Sequence, residues 1–229
     1  MSESRLERHV AALQTFYGAV PVPPRDPFTL FVWEIMSGHS TPRKRDAALA
    51  ALKKIPALTP DAMWRAPQKK LEAAVAVAGP YTDQRLLALR KGIDHFRRAP
   101  DLAKTIRGPL KPALKALKGL PQMGEAGGYR MLLFAADHPV LPVDARVSRT
   151  AQRLGYGSGD HSSWPALARS IREAVTRDLP AETDVFRRAY LYLSHHGGAT
   201  CTEADPHCRV CPLRRDCPAF QNSDFGFQA

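Results

Sequence analysis

All four cysteines of the chain fall within residues 201–217, in the run CTEADPHCRVCPLRRDC. Cys201, Cys208, Cys211 and Cys217 are separated by gaps of six, two and five residues. Thiols packed this closely in sequence can converge on one metal centre, and thiolates select zinc or an iron–sulfur group. A zinc knuckle commonly shows paired CxxC motifs, and here only Cys208 and Cys211 form one. Spacing alone therefore leaves both metals open. His207 stands beside Cys208, but four cysteines already complete a ligand set, so it reads as a bystander.

A metal site of thiols, rather than disulfides, suits a reducing compartment. The N-terminus, MSESRLERHV, lacks the apolar core of a signal peptide. No apolar run approaches the ~20 residues needed to span a bilayer. The expectation is a cytoplasmic protein with no membrane partner.

The chain has 229 residues, enough for one or two domains with a real core. Apolar residues recur at helical spacing, as in Leu30, Trp33 and Ile35 and again in Leu86, Leu89, Ile93 and Phe96. Pro- and Gly-rich breaks separate such runs: PVPPRDP at 21–27, AGPYTD at 78–83, RGPLKP at 107–112, DHPVLPVD at 137–144 and GYGSGD at 155–160. Few segments alternate as strands do, so the expected fold is all-α. The formal net charge is +11, which points to a polyanion as partner.

Residues 113–136 read as helix, tight turn, helix, with LPQMG at 120–124 as the turn. A small-residue turn at a helix N-terminus aims backbone N–H groups at a phosphate. Lys115 and Lys118 add charge beside it. Asp144 precedes a helical run in LPVDARVSR and is suited to an N-cap.

These motifs together resemble the endonuclease III and MutY family of helix-hairpin-helix DNA glycosylases. The C-x6-C-x2-C-x5-C spacing resembles that family's [4Fe–4S] loop, and LSHHGGATC resembles its approach to the first cysteine. The resemblance implies a [4Fe–4S] cluster on Cys201, Cys208, Cys211 and Cys217. LPQMG resembles the family's L-P-G-V-G hairpin, implying DNA contact through Lys118, Leu120, Gln122, Met123 and Gly124. Gln122 stands where a glycine is expected, and a non-glycine residue at positive φ costs roughly 1 kcal/mol. The loop TEADPH carries Glu203 and Asp205 where many members are basic, leaving Arg209, Arg214 and Arg215 to meet phosphates. Arg43, Lys44 and Arg45 form a second basic run suited to a DNA backbone.

The same resemblance assigns chemistry. Glycosidic cleavage passes through an oxocarbenium-like sugar, which a carboxylate stabilises. Asp144 matches the family's catalytic aspartate segment. DPFTLFVWEIM at 26–36 resembles the MutY segment whose glutamate protonates adenine, which makes Glu34 the second catalytic residue. Flanked by Trp33, Ile35 and Met36, Glu34 is expected in a dry pocket where burial makes a usable acid. His39 aligns with a residue that fills the gap left by a flipped nucleotide. Tyr129, beside Gly127 and Gly128, is a candidate to stack on the base. The family's lyase lysine falls at Ala126, so no Schiff-base amine is expected there.

The resulting expectation is an all-α, two-lobed fold. Residues 28–139 form a six-helix lobe containing the hairpin, and residues 1–27 with 140–229 form the cluster lobe. The partner is double-stranded DNA lying between the lobes, and the protein is expected to act as a monomer. The function is a monofunctional glycosylase that flips a damaged or mispaired base. The alternatives are a bifunctional glycosylase and lyase on oxidised pyrimidines, and a non-catalytic lesion sensor.

Overall fold

The computed structural model describes residues 3–55, 58–157 and 163–222, so residues 158–160 of the Gly-rich break lie outside it. Among the described residues there are helices and no strands. In chain order they are α1 (Arg5–Tyr17), α2 (Pro27–Ser37), α3 (Pro42–Lys53), α4 (Pro60–Arg65), α5 (Gln68–Ala76), α6 (Thr82–Arg98) and α7 (Leu102–Ile106). They continue as α8 (Leu110–Leu117), α9 (Gly124–Ala135), α10 (Ala145–Arg153), α11 (Trp164–Asp178), α12 (Thr183–Ala199) and α13 (Pro218–Gln221). None of these is long and apolar enough to cross a membrane. The chain divides into two compact units, Pro23–His138 and Met1–Val22 with Pro139–Ala229.

In the unit Pro23–His138, helix starts follow from local chemistry. Asp26 caps α2, accepting from the Thr29 amide at 2.8 Å, and Pro27 opens the helix with φ already set. Thr41–Pro42 and Thr59–Pro60 repeat that device at α3 and α4. The apolar α2 residues Leu30, Phe31, Val32 and Met36 are fully buried. Gly92 of α6 lets Phe31 lie against bare backbone; a Cβ there would come within 1.9 Å of the ring. Helix α9 packs on both α2 and α8.

In the other unit α12 packs on α1 and α10. Ser4 and Glu7 form a capping box that starts α1. The amide of Leu6 donates to Asp178 at the end of α11, and the hydroxyl of Tyr156 donates to the same oxygen. The close approach of α10 to α12 depends on Gly197, where a Cβ would stand 2.6 Å from the Arg146 carbonyl oxygen. Backbone cannot yield as a side-chain tip does. Gly197→Ala is therefore expected to lower stability by about 1–3 kcal/mol. Gly128→Ala, whose Cβ meets nothing within 4 Å, should instead hold or raise the melting temperature. Thermal unfolding of the two variants side by side checks the contrast.

Candidate active site and cysteine centre

Glu34 of α2 is buried, with a side chain only 6% exposed. It does not sit alone. Arg130 of α9 donates from Nε to Oε1 at 2.5 Å and from Nη2 to Oε2 at 2.7 Å. Gly127, one turn earlier on α9, places bare backbone near the same carboxylate; a Cβ there would lie 3.5 Å from Oε2. The side chain is secluded, as expected of a dry pocket, but it shares that seclusion with a guanidinium. Both oxygens accept from one guanidinium, the strong fork-to-fork geometry of a buried ion pair. Arg130 was missed in the sequence, although one arginine leading into MLLFAA is a signal, since a charge in a buried apolar run needs a partner.

Asp144 caps α10. Its Oδ1 accepts from the amides of Arg146 and Val147, both at 3.0 Å, and Tyr190 of α12 donates its hydroxyl to Oδ2 at 3.3 Å. The N-cap reading therefore holds, and the cap is what fixes the carboxylate. Tyr190 was not singled out by the sequence reading. Asp144 and Tyr190 lie in one compact unit, and Glu34 and Arg130 in the other.

The hairpin forms between α8 and α9. Gln122 adopts φ +58 and Gly124 φ +56. Gln122 thus takes the left-handed conformation itself, with its side-chain Nε2, not its backbone N–H, donating to the Gln84 carbonyl at 3.5 Å. Lys118 and Gln122 are exposed. Leu120 and Met123 are each 5% exposed, so their side chains belong to the core of the hairpin. With these side chains inside, the DNA contact expected at the two residues falls to their backbone. Among the described residues, the amides of Gln122, Met123 and Gly124 donate to no protein acceptor. Beside them lies an open pocket of about 510 Å³, lined by Lys118, Met123, Gly128 and half-buried Tyr129.

His39 is exposed with φ +48, and its ring meets Tyr81, φ +67, at a centroid distance of 5.1 Å. Two left-handed non-glycine residues side by side need an external restraint. Arg85, 3% exposed, supplies it by donating to the carbonyls of Gly38, Gly79 and Pro80. Tyr81 and Arg85 were missed in the sequence; AGPYTD marked a turn but not an exposed aromatic ring. Arg45 stacks over Trp33 at 4.6 Å and pairs with Asp46, so it is engaged within the protein rather than free to follow a backbone.

All four cysteines line one cavity, together with His196, Pro206, Leu213 and Phe220. Arg153 donates to Cys201 Sγ at 3.3 Å and to the Thr202 carbonyl at 2.7 Å, which ties the loop to α10. Burial, and then the neighbouring thiols, push Cys208 up, and burial pushes Cys211 up to about 11. Thiols that oppose one another's ionisation become thiolates together only around a cation. Among the described residues no three His, Cys, Asp or Glu side chains are gathered closely enough to hold a single ion. His207 is exposed, in keeping with a bystander.

No family model matches the chain. It is 30% identical over 216 residues to the endonuclease III of Treponema pallidum, covering 90% of this chain and 93% of that protein. The chain belongs to the endonuclease III family. The fold agrees: an endonuclease III trapped as a covalent intermediate on DNA superposes with a TM-score of 0.74 at 18% identity, over 98% of this chain and 99% of that one. A thermostable thymine-DNA glycosylase gives 0.73 at 18% identity, over 95% and 97%. Against that family background the Glu34–Arg130 pair is a property of this chain's own residues. Removing one member strands a buried charge, at a cost of about 3–5 kcal/mol. Glu34→Leu and Arg130→Met should each lower the denaturation midpoint sharply. The double variant should recover most of the loss, and a double-mutant cycle in urea measures the coupling.

Proposed function

We propose that the chain is a base-excision DNA glycosylase that hydrolyses the N-glycosidic bond of an extruded base and leaves an abasic site without an efficient lyase step. The observation that carries this reading is the fixed carboxylate of Asp144. Two helix amides hold Oδ1, and Tyr190 orients Oδ2. A carboxylate immobilised in this way opposes the positive charge that develops on the sugar and orients a water for attack. The carbon–nitrogen bond breaks with its electron pair passing to the base, and water supplies the new carbon–oxygen bond.

Departure of the base is not assisted by Glu34 in the arrangement seen here, because both its oxygens accept from Arg130. Glu34 serves as the counter-ion that holds the guanidinium in place. Gly128 and Tyr129, next along α9, border the open pocket beside the hairpin, which supports the reading of Tyr129 as a base contact.

DNA is held by the hairpin. The amides of Gln122, Met123 and Gly124 and the exposed Lys118 form a phosphate cradle, aided by the +11 charge of the chain. His39 enters the gap in the duplex. The lesion-sensor alternative finds no support in the anchored geometry of Asp144. The bifunctional alternative lacks its nucleophile, since Ala126 has no amine.

Cys201, Cys208, Cys211 and Cys217 hold a [4Fe–4S] cluster. A tetrahedral zinc at about 2.3 Å from each sulfur would draw the sulfurs to within about 4 Å of one another. All four thiols line one cavity, and their spacing resembles the family's [4Fe–4S] loop, which supports the iron–sulfur group over zinc. When bound, the cluster cross-links a loop with little apolar core of its own.

Asp144→Asn should reduce base release by about 10²–10⁴-fold while leaving duplex binding intact. Release is measured on lesion-containing duplexes under single-turnover conditions. Borohydride should trap no efficient covalent complex, and strand breaks should appear only after alkali. Rapid trapping by the wild-type protein would show that another lysine provides the amine. Anaerobically purified protein should be yellow-brown and contain iron, not zinc.

A further inference from the structure

His196 lies on α12 at 2% exposure, with its two ring nitrogens facing different partners. Nε2 is 3.5 Å from Cys211 Sγ, and Nδ1 is 2.7 Å from the Tyr17 hydroxyl. That hydroxyl in turn lies 2.6 Å from Thr200 Oγ1. Building on the iron–sulfur reading above, we infer that His196 donates its Nε2–H to the Cys211 thiolate and thereby raises the reduction potential of the cysteine-held centre.

The assignment follows from counting protons. Each ring nitrogen faces one polar partner, and a ring that donates through one nitrogen and accepts through the other carries one N–H. A metal-bound thiolate has lone pairs only. If the proton sat on Nδ1, the Nε2 lone pair would face sulfur lone pairs in a buried site, which is repulsive. With the proton on Nε2, the ring donates to sulfur and Nδ1 is left to accept. Tyr17 O–H then donates to Nδ1, and its oxygen accepts from the Thr200 hydroxyl. Every polar atom in the relay has one role, and α1 and the end of α12 both contribute to it. A buried histidine that merely tied α1 to α12 would be indifferent to which nitrogen carries the proton.

The effect has a sign. One-electron reduction adds negative charge that is shared by the sulfurs, so an N–H donor stabilises the reduced state more than the oxidised one. Partners around metal ligands commonly tune the centre in this way. His196 is a positioning residue, acting through Cys211.

The test uses the full iron-loaded chain without DNA. Midpoint potentials are measured by film voltammetry for wild type, His196→Leu, His196→Gln and Tyr17→Phe. His196→Leu is expected to shift to more negative potential. His196→Gln, which keeps an N–H donor, should return towards wild type. Tyr17→Phe should move the same way as His196→Leu but less, because the tautomer is no longer pinned. Pulsed EPR of the reduced wild-type protein labelled with ¹⁵N-histidine should show a nitrogen coupling that the Leu variant lacks. An unshifted potential in fully loaded His196→Leu, or no nitrogen coupling in wild type, would overturn the assignment. If His196→Leu fails to assemble, Tyr17→Phe and the wild-type spectrum decide alone. Wild-type protein without iron would overturn the cluster reading itself, a separate and recognisable result.

Discussion

Three of the four thiols that share one cavity are held back from ionising, and that constraint bears on the whole C-terminal loop. Burial and mutual repulsion hold Cys208, Cys211 and Cys217 towards the thiol form. The metal centre proposed above would reverse the balance, and its binding energy would become folding energy for a segment that offers little apolar surface. Among its few buried side chains are Leu213 and Ala219. The polar ties converge on the same place. Arg5 and His9 of α1 reach Asp216, the residue before Cys217, while Arg149 and Arg153 of α10 hold the loop's first carbonyls. The helices are positioned to receive the loop, and the thiols decide whether it stays.

The other compact unit is organised around a different buried charge. Glu34 and Arg130 are largely shielded from solvent, so loss of either leaves the other poorly compensated. The pair joins α2 to α9 at the level of Gly127, just beyond the hairpin turn. Precision at the hairpin thus rests on polar geometry as well as on the apolar contacts of Leu120 and Met123. The loop pair carrying His39 and Tyr81 follows the same logic, with Arg85 donating to three loop carbonyls, those of Gly38, Gly79 and Pro80. In each case a buried arginine holds a conformation that local propensity alone would not select.

Features set by short-range chemistry were legible in the sequence. Asp26–Pro27, Thr41–Pro42 and Asp144 announce helix starts because a cap and its helix are neighbours in the chain. The cysteine spacing and the hairpin were legible for the same reason. What escaped was long-range pairing. Glu34 and Arg130 are separated by 96 positions, so nothing near Glu34 reveals that its carboxyl is already engaged. His196 stood in plain view within LSHHGGATC, yet its significance comes from Cys211 and from Tyr17, 179 positions away. The motif also does not say which of its members face inward, as Leu120 and Met123 do.

In the role proposed for it, Asp144 would meet a structural and a chemical requirement with one geometry. A capping aspartate must present one oxygen to the first-turn amides, and that restraint removes the rotational freedom that would blur a catalytic carboxylate. The partial positive charge of a helix N-terminus favours the anion that an oxocarbenium-like sugar calls for. The same restraint explains why the lyase step is dispensable to this reading. A lysine at position 126 would add a covalent route by attack of its amine on the sugar. Alanine there removes the amine but leaves the carboxylate and its amide anchors untouched, because they are built by α10 and not by the hairpin helix. Hydrolysis and covalent capture are therefore separable by construction. In the proposed mechanism, absence of the second leaves the groups assigned to the first undisturbed.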